Sequence, residues 1–225
     1  MGLFSKEYCC LCGKQAKLLR REKLGDGEYI CSDCRAECSD DANFKRMDSE
    51  SVKAHIEENT EDQRIIAEDF NETDAVHLGR RTILAVDGES GCFYSPTRER
   101  PDLITFDKVY DYRLRISTHR PPPPDHDGPG GPGLLDSIID LVDIFTGSGD
   151  HRLPFPMRGE EIDSMYFVID LAGHDFIDGL EIDLLPGFHD HNDEREAYYA
   201  ARQMIELFDH YHDEYAFAGE EADEE

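Results

Sequence analysis

Four of the seven cysteines stand in two pairs, Cys9-x2-Cys12 and Cys31-x2-Cys34, separated by the eighteen residues 13–30. Thiolates at this spacing are the donor set of a four-cysteine zinc site. Two residues between ligands let a tight turn aim both sulfurs at one ion, and Gly13 directly after the first pair accepts the positive φ such turns need. Two such turns complete a tetrahedral shell around one Zn2+ per chain. With all four positions filled by protein, none is open to water, so the expected metal is structural and not catalytic. A segment this short buries too little apolar surface to offset its ordering entropy. Structural zinc in small peptides, worth about 10–16 kcal/mol near neutral pH, supplies what is missing. Cys10-x1-Cys12 is too short for the usual turn and Cys34-x3-Cys38 would displace a better pair, so Cys10, Cys38 and Cys92 read as ordinary thiols. Twinned at zinc spacing and lacking a βαβ context, neither pair reads as a redox motif.

Other residues with chemical potential are weaker. His189, Asp190, His191, Asn192 and Asp193 could bind a metal or serve as acid and base, but read first as a solvated loop before a helix. Asp125-His126-Asp127-Gly128 begins like a calcium loop and lacks its later ligands. Residues 128–133 are rich in Gly and Pro but are not followed by Lys-Ser/Thr, so they are no phosphate loop. Ser or Cys nucleophiles with a flanking signature are absent from the sequence. The basic run Lys14, Lys17, Arg20, Arg21 and Lys23 between the cysteine pairs could contact phosphate or a partner's carboxylates, but reads first as a solvated hairpin face, or it could meet the protein's own acidic half.

The elements that must carry these residues follow from periodicity. Residues 51–70 read as a polar, moderately amphipathic linker helix with Val52, Ile56, Ile66 and Phe70 on its buried side. Strands are expected at 82–86, 92–95, 103–106, 109–117, 165–172 and 180–185. In the longest of them Tyr110, Tyr112, Leu114 and Ile116 alternate with polar residues, the period of a half-buried strand. An antiparallel sheet is the natural reading, with a hairpin at Asp87-Gly88-Glu89-Ser90-Gly91. A Pro/Gly-rich insertion spans 118–160. Within it, 134–146 places Leu135, Ile138, Ile139, Val142 and Phe145 on one helical face, the pattern of an amphipathic helix. A closing helix carries Tyr198, Ala201, Ile205, Phe208, His212 and Tyr215 at steps of three and four, with Asp193 and Glu196 as its capping start.

Charge narrows the function classes. The chain has 225 residues, 23 basic and 51 acidic, a formal charge of −28. Residues 1–48 hold nine basic and nine acidic side chains, so the whole excess lies in 49–225. Phosphate contacts need clustered Lys and Arg, which only the run between the cysteine pairs provides. Nucleic acid and anionic membranes are therefore disfavoured partners. No apolar run approaches the roughly 18–20 residues of a membrane span and the start has no signal-peptide core, so a cytoplasmic location is expected.

The layout Cys9-x2-Cys12-Gly13-Lys14, then 23–31 (KLGDGEYIC) and Cys34, resembles an uncharacterised bacterial family of short zinc ribbons. The resemblance implies that the ribbon precedes a small antiparallel β-barrel similar to pleckstrin-homology or GRAM domains, and residues 103–112 resemble that barrel's central strands. The reading is thus an α+β chain: a zinc ribbon over 1–45, a linker helix over 46–72, a pleckstrin-homology-like barrel over 73–217 interrupted by the insertion and closed by a C-terminal helix, and an acidic disordered tail over 218–225. The expected function is a non-enzymatic zinc-binding adaptor or regulatory module for a protein partner. The alternative is a nucleic-acid-binding zinc-ribbon regulator, and a third reading is a hydrolase built on the His189 to Asp193 cluster.

Overall fold

The computed structural model describes residues 7–119, 140–145, 161–187 and 190–216. Two short hairpins open the chain, β1 (Glu7–Tyr8) with β2 (Gln15–Ala16) and β3 (Arg21–Lys23) with β4 (Tyr29–Cys31), followed by one helical turn, α1 (Ser32–Arg35). Helix α2 (Ser49–Glu68) then leads to the larger part. Its N-cap is Asp48, whose Oδ1 accepts from the backbone N–H groups of Glu50 and Ser51 at 3.1 and 2.8 Å and satisfies two donors that the first turn leaves open.

Eight further strands make two antiparallel sheets. The first is a meander of β5 (Asp74–Leu78), β6 (Arg81–Asp87), β7 (Cys92–Tyr94) and β8 (Ile104–Thr105). The second has the order β10-β9-β11-β12, from β9 (Val109–His119), β10 (Asp140–Phe145), β11 (Glu161–Leu171) and β12 (Gly179–Asp183). The inner faces carry Ile83, Phe93 and Ile104 from the first sheet and Leu114, Ile116, Met165, Phe167 and Ile169 from the second. Helix α3 (His191–Ala216) lays Ala197, Ala201, Met204, Ile205 and Phe208 on the same core. No strand-to-strand hydrogen bonding joins the two sheets among the described residues, so the expected closed barrel is not observed; the result is a mixed α+β fold with a C-terminal helix.

Three expectations need correction. Tyr110 is 75% exposed, because the register between β9 and β11 shifts where Asp170 faces Asp111 and Leu171 faces Val109. The extra residue of that bulge turns Val109 into the core and Tyr110 out of it. The expected helix over 134–146 is contradicted at 140–145, which form strand β10 paired with 113–118 of β9. Ile, Val and Phe in a short run suit a strand as well as a helix, and the free edge of β9 supplies the ladder. The rest of that segment, the tail and most of the insertion lie outside the described residues. On α2 the fully buried residues are Val52, His55 and Asn59, while Ile56 and Ile66 are only half-buried, as is Phe70 just beyond the helix end.

The cysteine-rich part docks on the sheets through specific contacts. Phe176, from the β11–β12 loop, joins the small core of Ala16, Leu24, Ile30, Phe44, Met47 and Val52. Asn43 donates its backbone N–H to the Phe176 carbonyl at 2.9 Å, and Asn43 and Arg46 both reach Asp178. Arg98 grips Asp41 through Nε and Nη2 at 3.0 and 2.8 Å and also donates to the Glu181 carbonyl.

Candidate metal centre

The first ligand pair sits in the turn of the β1–β2 hairpin. The Cys9 N–H donates to the Lys14 carbonyl at 2.8 Å, and the Gly13 N–H returns to the Cys9 carbonyl at 2.9 Å. Gly13 has φ +68°, the left-handed conformation that closes the turn and that a side chain would strain. The second pair is delivered differently from the first. Cys31 ends β4 and is the N-cap of α1, and Cys34 lies within that helical turn, so the second tight turn is a strand-to-helix junction and not the bend of a hairpin.

The four sulfurs converge. Cys9 and Cys34 Sγ are 3.7 Å apart, as are Cys12 and Cys31 Sγ, and all four atoms lie within 4.8 Å of one another. A tetrahedral ion with Zn–S bonds of about 2.3 Å puts neighbouring sulfurs about 3.8 Å apart. The cysteines are therefore positioned to hold one metal ion, and four sulfur donors at this separation are consistent with zinc. A bound ion would cross-link the turn of the first hairpin to the end of β4 and to α1.

The surroundings shift several of the thiols in different directions. Burial works against the Cys9 thiolate, but the N–H groups of Cys12, Cys31 and Leu11 more than offset it and bring the thiol down to about 6. Burial, together with the neighbouring cysteine thiols, raises Cys34. The remaining cysteines stand apart from the cluster. Burial and then Glu28 push Cys10 up to about 11; burial pushes Cys38, whose Sγ faces the Cys34 carbonyl at 3.7 Å, and Cys92 in the first sheet to about 11 as well. These are protonated thiols at neutral pH.

The other sequence-level candidates do not assemble. His189 lies outside the described residues. Asp190 is the working N-cap of α3: its Oδ1 accepts from the N–H groups of Asn192 and Asp193 at 2.7 and 3.1 Å, and Asp193 returns a carboxylate oxygen to the Asp190 N–H at 2.8 Å. The helix thus begins earlier than the expected Asp193 and Glu196 start. His191 is exposed and pairs with Glu194 at 3.0 Å. Among the described residues no cluster of metal-ligating side chains other than the four cysteines is found.

A buried polar seam beneath the cysteine-rich module has no counterpart in the sequence patterns. His55 Nε2 accepts the Ser39 N–H at 3.2 Å, and Asn59 donates to Asp102 Oδ1 at 3.1 Å and accepts from Arg100 Nε at 3.0 Å. Asp102 is 2% exposed, and its Oδ2 and the Ser39 Oγ make no well-formed hydrogen bond, although the hydroxyl is near enough to act on the carboxyl. Burial raises the Asp102 carboxyl to about 7; Ser39 and Asn59 only partly oppose this, and Asp62 and Asp41 add to it. Polar residues on the inward face of α2 were the only available signal, and their partners are about 16–43 residues away in sequence.

Residues 7–59, which are 53 of the 225, match a family model described as a domain of unknown function (DUF4428). This span takes in both hairpins, α1 and the first half of α2. No curated protein and no solved structure matches the chain.

Proposed function

We propose that the protein is a non-enzymatic adaptor in which one structural zinc ion, held by Cys9, Cys12, Cys31 and Cys34, shapes a surface for a protein partner. The observation that carries this reading is the closed set of four thiols at tetrahedral spacing, which leaves a bound ion no place for water or substrate. The carboxylates of Asp190 and Asp193 are spent on a helix cap, which removes the main support for a hydrolase. We read the two four-stranded sheets and α3 as an open relative of the pleckstrin-homology barrel, acting as the platform on which the module is mounted, in a bacterial cytoplasm. That arrangement is supported by the strand order and by the packing of α3 against both sheets. Among the described residues no helix is long and apolar enough to cross a membrane.

A nucleic-acid-binding regulator is the second reading, favoured by one observation. Lys17, Arg20, Arg21 and Lys23 have no carboxylate partner among the described residues, so the basic run does not meet the acidic half of the chain. Affinity capture from the native host, with and without nuclease, compares the wild type with a Cys12→Ser, Cys34→Ser variant by mass spectrometry. The adaptor reading expects a nuclease-resistant protein that the variant fails to recover. Recovery of nucleic acid alone, or of the same proteins by both forms, overturns it.

A further inference from the structure

We infer that the concavity formed by Arg20, Arg21 and Arg35 beside the exposed Leu18 and Leu19 binds a short acidic segment of a partner protein in which carboxylates alternate with apolar side chains. This rests on the adaptor reading and adds the location of the surface and the chemistry of what it holds. The concavity measures about 440 Å³ and is lined by Leu19, Arg20, Arg21, Glu22, Ser32 and Arg35. Leu19 is 95% exposed and Leu18 60% exposed, on the loop that joins β2 to β3. Two adjacent leucines in water forgo burial that a partner's apolar side chain would restore.

The arginines are oriented for carboxylates. The Arg21 guanidinium lies over the Tyr29 ring at 4.3 Å, and that of Arg35 lies towards the Phe44 ring at 5.6 Å. Stacking occupies the flat face of a guanidinium and leaves its N–H edges free for a planar anion. Neither group has a carboxylate partner among the described residues, nor does Arg20, although acids outnumber bases 51 to 23 in this chain. Elsewhere arginines are paired, as in Arg46–Asp178, Arg98–Asp41, Arg115–Glu181 and Arg202–Glu206. A side chain already held by stacking loses less freedom on binding, which favours a bidentate contact.

Charge and shape select a peptide over a polynucleotide. Phosphodiester chains extend past the screening length of about 8 Å and would run onto a body that carries the whole −28. A short peptide is confined to the basic patch, and only a peptide gains from Leu18 and Leu19. The surface is also tied to the metal: Arg21 pairs with Cys31 across the β3–β4 ladder, and Arg35 follows Cys34 in α1. An ion bound by Cys31 and Cys34 would therefore help to hold the two arginines at their spacing.

The test uses the zinc-loaded full chain and a fluorescein-labelled peptide composed of Glu, Asp and Leu, read by fluorescence anisotropy at physiological salt. A matched peptide with Ser for Leu and a single-stranded oligodeoxynucleotide of equal charge are the comparison probes. Saturable binding is expected for the Leu-containing peptide and about tenfold weaker binding for the Ser peptide. Arg20→Glu with Arg35→Glu, and separately Leu18→Ser with Leu19→Ser, should each weaken it by about tenfold or more while zinc content stays at one per chain. Tighter binding of the oligonucleotide, equal binding of the two peptides, or no saturable binding overturns the inference. In the last case zinc-dependent capture of a partner by the arginine variant would leave the adaptor reading standing on another surface.

Discussion

Replacing Asp102 by Asn should stabilise the protein, and by an amount that grows with pH. Burial raises this carboxyl from 3.8 to about 7, so the folded state holds a proton that the unfolded chain releases. Below the unfolded pKa both states are protonated and the site costs nothing; as pH rises towards 7 the unfolded state gains from ionisation and stability is lost. Three pK units correspond to about 4 kcal/mol at full development, an upper figure because the site can relax. Asn cannot ionise, keeps an oxygen for Asn59 Nδ2, and offers an amide N–H to the nearby Ser39 Oγ. Urea unfolding of zinc-saturated wild type and Asp102→Asn at pH 5, 6, 7 and 8 reads the difference, in which the pH dependence of zinc binding largely cancels. The variant's advantage should already be about 1–2 kcal/mol at pH 5 and grow by about 2–3 kcal/mol more by pH 8. A difference that stays constant across this range, or a variant less stable at pH 8, would refute the account of the seam.

Three further outcomes follow from the same structure. His55 is held down to about 4, first by burial and then by the charges of His174 and Arg100, so its contribution is complete above its ordinary pKa of 6.5 and lost as pH falls through 4; His55→Gln should flatten acid unfolding between pH 6 and 4 in a fluorescence titration. A Cβ at Gly91, which has φ +65°, would meet the Tyr215 ring at 2.6 Å, so Gly91→Ala should lower the midpoint of thermal unfolding and cost about 1–3 kcal/mol. Acidic liposomes should fail to sediment the protein at physiological salt, because the hairpin that would face them presents Glu89 and no base; co-sedimentation would contradict this.

The parts of the structure that were legible in the sequence are those set by local pattern. Strands β6, β7, β9, β11 and β12 and the two long helices announce themselves by periodicity, and the cysteine spacing names the four thiols that converge. Where long-range partners decide, pattern fails. Strand β5 is five residues with no clear alternation of its own and is specified by pairing with β6. The segment 140–145 takes its conformation from the free edge of β9, and the outward turn of Tyr110 comes from a bulge that periodicity cannot register. The inward face of α2 misleads for the same reason, since Asn59 is buried with its amide donating to the Pro101 carbonyl and to Asp102 Oδ1. Phe176 looks like an ordinary loop residue until the fold brings it into the core of the cysteine module.

The central claim is that four thiolates enclose one zinc ion, and zinc K-edge X-ray absorption on the purified chain, with metal content measured on the same sample, tests it most directly. The account predicts one zinc per chain with four sulfur neighbours at about 2.3 Å and no oxygen or nitrogen in the first shell. A chain without zinc, a shell containing oxygen or nitrogen, or zinc retained unchanged by the Cys12→Ser, Cys34→Ser variant would contradict it.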